Sequence, residues 1–491
     1  MVADSLHTSK RLNAPLTSGK VAVAGGARSG VAVACLLKRL GFEVMLSDLG
    51  AVSEASIERL NTHDVAWEHG GHSADAMACD WLVLSPGVPT DAPITQTYLS
   101  ADKPVVSELD VAYWHLREHL HGGAIIAVTG TNGKTTVTKW LSHIWTQAGK
   151  VHRVGGNLGT PCSDILLDFM DHPAQEPVDI ILEVSSFQLD HMHLFHPDIS
   201  ILLNISEDHL DRYEQSMDAY AASKARLVEH HSQGDTLIYN ADDPRCAAIA
   251  AELQARSPET AIYPFSSQKS GQKSSQKNDK TSTQDQPGAS LHAPTHTLHI
   301  QIPDTDPFRM NTNELALPGD HNQANGMAAA LAAKARHVKN DALKDALGHF
   351  EGVEHRLELV ATIDGVRYIN DSKATNINAV WYALDSYHEP ITLILGGRDK
   401  GNDYRLLDSQ LRSKGRAIVA IGEAANTIME ELNGQVPDIV VAHTMGDAVR
   451  EAKRLAKRGE IVLLSPGCSS FDMFEHYEHR GNAFKEEVLS L

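Results

Sequence analysis

The sequence predicts an α/β protein of three domains, and three observations carry this prediction. The 491 residues are too many for one hydrophobic core. Short apolar segments alternate with stretches long enough for helices, which is the pattern of parallel β-α-β units. Several of these apolar segments end in glycine or small polar residues, where ligands of open α/β sheets bind. We expect domains at residues 1–117, 118–352 and 353–491.

The first domain has the pattern of a Rossmann-like, doubly wound unit. The apolar strand Val21 to Ala24 leads into the turn Gly25 to Gly30 and an apolar helix over Val31 to Leu40. Further strands are predicted at Val44 to Leu46 and Trp81 to Leu84. The turn lacks the second glycine of the dinucleotide fingerprint, so it is weak evidence for NAD, while a phosphate at this helix N-terminus stays open.

The second domain carries the clearest motif, a phosphate loop over Thr129 to Thr136. It follows the apolar strand Ala124 to Val128 and precedes a helix predicted over Thr135 to Ala148. In this order backbone N–H groups face phosphate oxygens, Lys134 neutralises charge and the Thr135 hydroxyl reaches Mg²⁺. The spacing is shorter than in the common loop, and a structural turn is the alternative. The predicted ATP-binding residues of the loop are Gly130, Thr131, Asn132, Gly133, Lys134, Thr135 and Thr136.

Three other positions in the second domain suggest metal or catalytic chemistry. Glu183 ends an apolar segment and offers a carboxylate to a phosphate-bound Mg²⁺, although an acidic helix cap is the alternative. His209 lies in the acidic stretch SEDHLDRY, which a solvated turn also explains. Lys224 lies in a predicted helix whose small neighbours let it reach inward, and a surface lysine is the alternative.

The second domain also contains a segment of unusual composition. From Ser266 to about Pro294 the chain is rich in Ser, Gln, Lys and Asp and has almost no apolar residues. Such a segment buries too little surface to offset the entropy of ordering, so we predict a disordered insertion. A basic ligand-binding tail is the alternative. Other predicted elements of this domain are strands at Asp179 to Val184, Ile199 to Leu203 and Thr236 to Tyr239, and an Ala-rich helix over Asn325 to Ala335.

The third domain has polar turns after three of its predicted strands. The turns are NDSKATN from Asn370, GGRDKG from Gly396 and SPGCSSFD from Ser465. Each alone is explained by an ordinary loop, but three at one sheet edge predict a binding surface. The predicted strands are Tyr368 to Ile369, Ile391 to Leu395, Ile418 to Ile421 and Ile461 to Leu464.

Composition excludes several classes of protein. A formal net charge of −20 disfavours binding to nucleic acid, which is itself a polyanion. No apolar run approaches the roughly 20 residues of a membrane span, so we expect no membrane insertion. The five cysteines are scattered, which argues for a reducing cytoplasm and against a thiolate zinc site.

Taken in order, five stretches resemble the Mur ligases of peptidoglycan synthesis. They are TGTNGKT from Thr129, LEVSSFQL from Leu182, EDHLDRY from Glu207, NDSKATN from Asn370 and LSPGCSSFD from Leu464. The resemblance runs from about Val21 to the C-terminus. The stretches SSFQL, EDHLDRY and DSKATN point to the D-glutamate-adding member of the family.

The resemblance implies a fold and a reaction. The fold has an N-terminal Rossmann-like domain for a UDP-sugar, a central P-loop ATPase-type α/β domain and a C-terminal Rossmann-like domain for amino acid and nucleotide. ATP would phosphorylate the carboxylate of UDP-N-acetylmuramoyl-L-alanine, and the amine of D-glutamate would then attack the acyl phosphate. Two Mg²⁺ ions would serve the reaction, and the protein would be a cytoplasmic monomer.

The resemblance also implies site residues. The catalytic residues would be Lys134, Glu183, His209 and Lys224. Thr135 and Glu183 would hold one Mg²⁺, and His209 with a carbamylated Lys224 would serve the second, because carbamylation turns the amine into an oxygen donor. Further nucleotide contacts would be Asn322, Asn325, Arg356 and Asp371; UDP-substrate contacts Ser29, Asp48, Ser85, Gly87 and Asn157; and D-glutamate contacts Lys373, Thr375, Lys400, Ser470 and Tyr477.

Three alternatives remain. The first is another amide ligase of the same superfamily, which adds L-alanine or a diamino acid or resembles a folylpolyglutamate synthase. The second is a nucleotide switch without synthetic activity, although the chain has no Asn-Lys-x-Asp guanine motif. The third is an NAD oxidoreductase, which rests only on the incomplete glycine turn.

Overall fold

A computed structural model describes residues 12–157, 159–267, 287–317, 319–350, 352–399 and 401–491. These residues form three sheets in two compact units. The first unit lies within residues 1–314 and 324–348, and the second within 315–323 and 349–491. Among the described helices, none combines the length and the apolar character needed to cross a membrane.

The first sheet has five parallel strands in the order β3-β2-β1-β4-β5. The strand order reverses between β1 and β4, so the turns that follow these two strands meet at a switch point, where doubly wound folds bind ligands. The Rossmann-like prediction is therefore confirmed. The elements are β1 (Lys20–Ala24), α1 (Arg28–Arg39), β2 (Glu43–Asp48), α2 (Glu54–Thr62), β3 (Ala66–His69), α3 (Ala74–Ala78), β4 (Trp81–Leu84), α4 (Pro93–Ser100), β5 (Val105–Ser107) and α5 (Glu108–Leu116).

The second sheet has nine strands in the order β14-β13-β12-β11-β10-β9-β6-β8-β7. It is parallel from β7 to β12, and β13 and β14 are antiparallel. The elements are β6 (Ile125–Thr129), α6 (Lys134–Gln147), β7 (His152–Gly156), α7 (Cys162–Asp171), β8 (Asp179–Glu183), α8 (Ser186–Leu189), β9 (Ile199–Leu202), α9 (Met217–Ala225), β10 (Thr236–Asn240), α10 (Pro244–Arg256), β11 (Ala261–Ser266), β12 (Gly288–His292), β13 (Thr297–Gln301), β14 (Phe308–Asn311), α11 (Asp320–Ala335) and α12 (Asn340–Gly348).

The third sheet has six strands in the order β15-β16-β20-β17-β18-β19, and only β15 is antiparallel to its neighbour. The elements are β15 (Glu358–Ile363), β16 (Val366–Asn370), α13 (Ile377–Asp385), β17 (Ile391–Gly396), α14 (Asp408–Lys414), β18 (Gly415–Ile421), α15 (Ala425–Glu431), β19 (Ile439–Ala442), α16 (Met445–Leu455), β20 (Ile461–Leu464) and α17 (Tyr477–Leu489). Short 3-10 helices lie at Arg117–His119, Leu210–Tyr213, Arg226–Val228, Ala293–Thr295, Thr312–Glu314 and Tyr404–Leu407.

The segment predicted to be a disordered insertion contains an ordered strand. Residues 268–286 lie outside the described residues, but Gly288–His292 is strand β12, paired with β11 and β13. Ala289 and Leu291 alternate with more exposed neighbours and are buried. The prediction of disorder was wrong for this part, because average composition hides a short period-two strand whose partners come from elsewhere in the chain.

Helices of the first and second sheets share one hydrophobic core. Buried side chains of α1, α5 and α7, among them Leu36, Val111 and Ile165, belong to the same cluster. Glu108 lies at this junction and is buried. Its Oε1 accepts a hydrogen bond from the Ser163 backbone N–H at 2.7 Å, whereas Oε2 is buried and has no hydrogen-bond partner within the described part of the chain. Burial raises the pKa of Glu108 to about 7.

This carboxyl makes stability depend on pH. Because its folded pKa exceeds the ordinary value of 4.5, the folded state binds the proton more tightly, and stability falls as pH rises from about 4.5 through 7. The difference between the ordinary and the folded pKa corresponds to a decrease of roughly 3 kcal/mol in the free energy of unfolding over this pH range. We expect Glu108→Gln, which does not titrate, to melt at a higher temperature than wild type at pH 8.5 and at a similar temperature at pH 5. Substitution of the exposed Glu118 by Gln is the control, and a pH-independent effect of Glu108→Gln would contradict this account.

Candidate functional site

The phosphate loop joins β6 to α6 and has the geometry of a ligand cradle. Gly133, directly before α6, has a φ of +87°, and a Cβ at this position would lie 2.6 Å from Asn325 Oδ1. Only glycine fits this left-handed turn without displacing Asn325. Near the turn, Asn132 Nδ2 and Thr136 Oγ1 are buried and lack hydrogen-bond partners among the described residues. These polar atoms and the N-terminus of a 14-residue helix fit a phosphate-bearing ligand.

Asn204 holds the loop in place, although the sequence analysis missed it. Its Oδ1 accepts from the Asn132 backbone N–H at 2.8 Å, and its Nδ2 donates to the Asn132 carbonyl at 3.0 Å. The Asn204 carbonyl also accepts from Thr131 N at 2.8 Å. The available signal was its position, since Asn204 is the polar residue directly after the apolar segment that contains β9.

Thr135 and Glu183 meet as predicted. Thr135 Oγ1 donates to Glu183 Oε2 at 2.7 Å, and the Glu183 carboxylate at the end of β8 is only 2% exposed. Glu183 Oε1 accepts from Asn157 Nδ2 at 3.0 Å. Asn157, expected on the UDP-substrate side, is therefore in contact with this carboxylate. A hydroxyl and a carboxylate are hard oxygen donors of the kind Mg²⁺ prefers, so this pair fits one magnesium ion.

Two lysines meet at the loop. Lys134 Nζ donates to the carbonyls of Gly130 and Thr131, each at 2.8 Å. Lys224 is 1% exposed, and its Nζ donates to the same Gly130 carbonyl at 3.0 Å and lies 4.6 Å from the Tyr220 ring centre. Burial, and secondly the charge of Lys134, hold the pKa of Lys224 well below its ordinary value. The inward orientation predicted for Lys224 is correct, and the alternative of a surface lysine is wrong.

His209 is more exposed than the other predicted metal ligands. Its backbone is left-handed, with a φ of +53°, directly before the 3-10 helix Leu210–Tyr213. The ring packs edge-on against Phe187 at 4.9 Å, and its Nε2 lies 3.6 Å from Asp208 Oδ2. An accessible imidazole beside a carboxylate fits a metal ligand that is completed when substrates bind.

Arg212 connects this region to the first sheet. Its guanidinium donates to the carbonyls of Pro86 and Val88, both at 2.9 Å, and lies 4.0 Å from the Phe187 ring centre. The turn after β4, which contains the predicted Ser85 and Gly87, is thus attached to the segment that carries His209. Arg212 lies within the stretch EDHLDRY, but local sequence does not predict this role, because its partners lie more than 120 residues away.

Most predicted UDP-substrate residues lie at the switch point of the first sheet. Ser85 Oγ donates to the Gly25 carbonyl at 3.2 Å, and a Cβ on Gly30 would lie 1.8 Å from that carbonyl oxygen. The Asp48 carboxylate accepts from the backbone N–H groups of Gly26 and Gly50. Ser29 lies in the first turn of α1, and Gly87 is exposed. The glycine turn is therefore closely packed around a helix N-terminus, as a ligand-binding turn requires.

In the second unit, the three predicted polar turns meet at one edge of the third sheet. Ser465 Oγ donates to Asp371 Oδ2 at 2.8 Å, and Gly396 N donates to the Pro466 carbonyl at 2.9 Å. Burial raises the pKa of Asp371 to about 7, against the opposing charge of Arg356. Arg356 Nε is buried without a hydrogen-bond partner among the described residues, and Asn322 is also buried in this unit.

Arg480 organises these turns and was missed by the sequence analysis. Its guanidinium donates to the Ser372 hydroxyl and carbonyl at 3.0 and 2.8 Å and to the Cys468 carbonyl at 3.1 Å. Lys373 lies 5.4 Å from the ring centre of Tyr477, at the start of α17. Of the other predicted D-glutamate residues, Ser470 is buried, Thr375 is half-buried and Lys400 lies outside the described residues.

Comparison with known proteins identifies the family. The chain matches the Mur ligase middle domain over residues 128–333, the Mur ligase glutamate ligase domain over 355–468 and the MurD N-terminal domain over 21–94. It is 44% identical to the UDP-N-acetylmuramoylalanine--D-glutamate ligase of Salinibacter ruber, over 96% of this chain and 98% of that protein. The protein of the same name from Bacteroides thetaiotaomicron is 38% identical, over 96% and 100% of the two chains.

Solved structures support the same fold. The UDP-N-acetylmuramate-alanine ligase MurC of Thermotoga maritima has a TM-score of 0.57 at 18% identity, covering 96% of this chain and 99% of that one. The MurF ligase of the same organism, solved in complex with ADP, has a TM-score of 0.56 at 14% identity and covers 91% and 95%.

Three β-sheets whose strands are connected by helices, together with a phosphate loop, are typical of a nucleotide-dependent α/β enzyme. The chain belongs to the Mur ligase family, which consists of ATP-dependent, ADP-forming ligases that join an amino acid to a carboxylate. The matched N-terminal domain and both relatives carry the name of the D-glutamate-adding member.

The contacts of Asn204 predict its contribution to ATP binding. Asn204→Ala removes two side-chain hydrogen bonds to Asn132, each contributing about 1 kcal/mol. We expect the KM for ATP to rise about tenfold or more while the melting temperature changes little. Asn240→Ala is the matched control, because Asn240 ends the neighbouring strand β10 and its side-chain oxygen accepts from the Asp242 N–H of its own turn rather than from the phosphate loop. Equal KM values for the two variants would show that Asn204 does not position the loop.

Proposed function

We propose that this chain adds D-glutamate to the carboxylate of UDP-N-acetylmuramoyl-L-alanine, with ATP as co-substrate, as a monomer in the cytoplasmic synthesis of peptidoglycan precursors. The observation that carries the proposal is the meeting of Thr135, Glu183 and buried Lys224 at one phosphate loop. A carboxylate that attacks a triphosphate brings two anions together, so the site needs cations to offset their repulsion. The names of the relatives support the choice of both substrates.

ATP is proposed to bind with its phosphates on the loop amides. The Lys134 ammonium already lies against the loop carbonyls, and it would exchange these contacts for phosphate oxygens. Asn325, which contacts the loop at Gly133, is suited to a nucleotide contact. Asn322, Arg356 and Asp371 are proposed nucleotide contacts because they match the family pattern. For Arg356, a buried guanidinium nitrogen without a hydrogen-bond partner among the described residues supports the proposal.

Two Mg²⁺ ions are proposed, and when bound they would neutralise phosphate charge and polarise the transferred phosphoryl group. Thr135 and Glu183 would hold the first ion. His209 and Lys224 would hold the second, provided that Lys224 carries an oxygen donor. An unmodified ammonium ion cannot ligate a cation, so the second site requires a chemical change at Lys224.

Carbamylation supplies that change. A neutral amine attacks dissolved CO₂, a C–N bond forms, a proton leaves the nitrogen, and a carbamate with two oxygen donors results. The depressed pKa of Lys224, caused first by burial and then by Lys134, favours the neutral amine that this reaction needs. The carbamate would be anionic, so it would also relieve the repulsion between the two lysines.

The chemical steps then follow in order. The substrate carboxylate attacks the γ-phosphorus, and ADP leaves. The D-glutamate amine attacks the acyl carbon, the C–N bond forms, phosphate leaves and the amine loses a proton. The proposed UDP-substrate contacts are Ser29, Asp48, Ser85, Gly87 and Asn157, and those for D-glutamate are Lys373, Thr375, Lys400, Ser470 and Tyr477, where lysine and hydroxyl groups suit carboxylates.

A substrate panel tests the proposed function. We expect ADP release in the presence of ATP, Mg²⁺ and UDP-N-acetylmuramoyl-L-alanine to be at least about 100-fold faster with D-glutamate than with L-glutamate, L-alanine or a diamino acid. A site that binds both carboxylates of D-glutamate and its amine in one arrangement disfavours L-glutamate, whose configuration is opposite, and amino acids with a different side chain. Faster release with another amino acid, or with a folate acceptor, would assign the chain to a different ligase.

The role of Lys224 is tested by chemical rescue. Lys224→Ala is expected to lower kcat by more than about 100-fold, because it removes an oxygen donor from the charged transition state. Added acetate or formate should restore part of that activity by supplying the missing carboxylate. Lys139→Ala, on the exposed side of α6, is the control and should retain wild-type activity. A Lys224→Ala variant that is fully active, or folded and inactive without any response to acetate, would exclude the carbamate.

A further inference from the structure

A cluster of side chains that could bind a metal ion lies at the second sheet, at the amino ends of its strands and therefore opposite the phosphate loop. His196 precedes β9, and Asp235 precedes β10, whereas the phosphate loop follows the carboxyl end of β6. Strands β6, β9 and β10 are parallel neighbours. The amino ends of β9 and β10 therefore lie at the sheet edge away from Lys134 and Glu183, and the cluster is separate from the proposed catalytic site.

Three residues form this cluster: His196, His231 and Asp235. One ring nitrogen of each histidine and one carboxylate oxygen of Asp235 lie within 4.8 Å of one another. His196 Nε2 is 2.6 Å from Asp235 Oδ2, and the two imidazole rings are 6.0 Å apart at 47°. Asp235 Oδ2 also accepts from the Ser232 backbone N–H at 2.7 Å, which fixes the carboxylate in place.

His231 is a buried imidazole with poor hydrogen bonding. It is only 4% exposed, and neither of its ring nitrogens makes a well-aligned hydrogen bond to the described residues, although the Thr236 backbone lies close enough for a weak one. A poorly satisfied buried polar group is costly, so such groups usually have a ligand, a water or a functional role.

We propose that His196, His231 and Asp235 bind a divalent transition-metal ion of the zinc class. Two imidazoles and one carboxylate are a donor set that zinc, cobalt and nickel accept, whereas magnesium prefers oxygen donors alone. The His196 side chain is 29% exposed and provides a route for the ion, with water as the fourth ligand. Binding replaces the hydrogen bond between His196 and Asp235 by bonds to the metal and gives a buried ring nitrogen of His231 a strong partner.

The bound ion would stabilise the second domain by cross-linking two of its segments. It would link the segment before β9 to the connection between the 3-10 helix Arg226–Val228 and β10. That connection is also held by backbone hydrogen bonds, among them the Thr236 N–H, which donates to the Asp198 carbonyl at 2.9 Å, and the Ala261 N–H, which donates to the Asp235 carbonyl at 3.0 Å. A metal that binds only the folded arrangement stabilises it by mass action.

Metal titration of the full chain, without a polyhistidine tag, tests the proposal. Chelator-treated protein is titrated with Zn²⁺ in excess Mg²⁺, so that oxygen-donor sites are filled, and bound zinc and melting temperature are measured together. Because the chain has 27 histidines, the informative quantity is the difference between variants. We expect His196→Gln and His231→Phe each to lose about one equivalent of tight zinc and the accompanying rise in melting temperature.

The two variants remove different ligands, and neither substitution is expected to prevent folding, so a loss of bound zinc reports on the cluster itself. Gln at position 196 retains a donor for Asp235, and Phe at position 231 retains a buried aromatic ring and loses at most one weak hydrogen bond, so both metal-free variants should melt close to wild type. His172→Gln, a highly exposed histidine outside the cluster, is the control and should bind zinc like wild type. If wild type and both folded variants bind the same amount of zinc and show the same melting shift, the proposal is wrong.

Discussion

The Gly130 carbonyl accepts hydrogen bonds from two lysine side chains, and this contact is the constraint on which the proposed chemistry depends. Lys134 and Lys224 reach the same oxygen at 2.8 and 3.0 Å. Two ammonium groups that bind one carbonyl oxygen lie close together and repel each other, and Lys224 is also removed from water. The site therefore favours any change that makes Lys224 neutral or anionic, or that brings phosphate to Lys134.

The packing around the loop keeps these groups in place. Asn204 fixes the backbone of Asn132 from the end of β9, and Glu183 holds Thr135 from the end of β8. Because β8 and β9 flank β6, the loop is held from both sides by its neighbouring strands. Arg212 extends this framework to the turn after β4 through the carbonyls of Pro86 and Val88. Within the first unit, the proposed UDP-sugar turn is thus attached by hydrogen bonds to the segment that carries His209.

Features that depend on local spacing were predictable from the sequence. The strand, loop and helix around Lys134 are correct to within a residue, as is β20, and the polar turns at Asp371 and Ser465 do meet. Lys224 is a different case. Its residue type and helix did not distinguish a buried lysine from a surface one, and only the family resemblance selected the correct alternative.

Features that depend on distant partners were not predictable. The roles of Asn204, Arg212 and Arg480 come from backbone groups that the fold brings close, and no local pattern specifies such pairs. Strand β12 was hidden for the same reason, since its partners β11 and β13 decide whether a short polar strand forms. His231 was not identified from the sequence because its significance lies in the side chains of His196 and Asp235, which the fold brings close to it.

The proposed chemistry requires a carbamate on the buried Lys224 side chain, and this modification can be observed directly. Protein equilibrated with ¹³C-labelled bicarbonate should give a single carbamate carbonyl resonance in its ¹³C NMR spectrum at neutral pH. That resonance should be absent from Lys224→Ala and present in Lys139→Ala. A wild-type spectrum without a carbamate resonance, from protein that is active under the same conditions, would contradict the account.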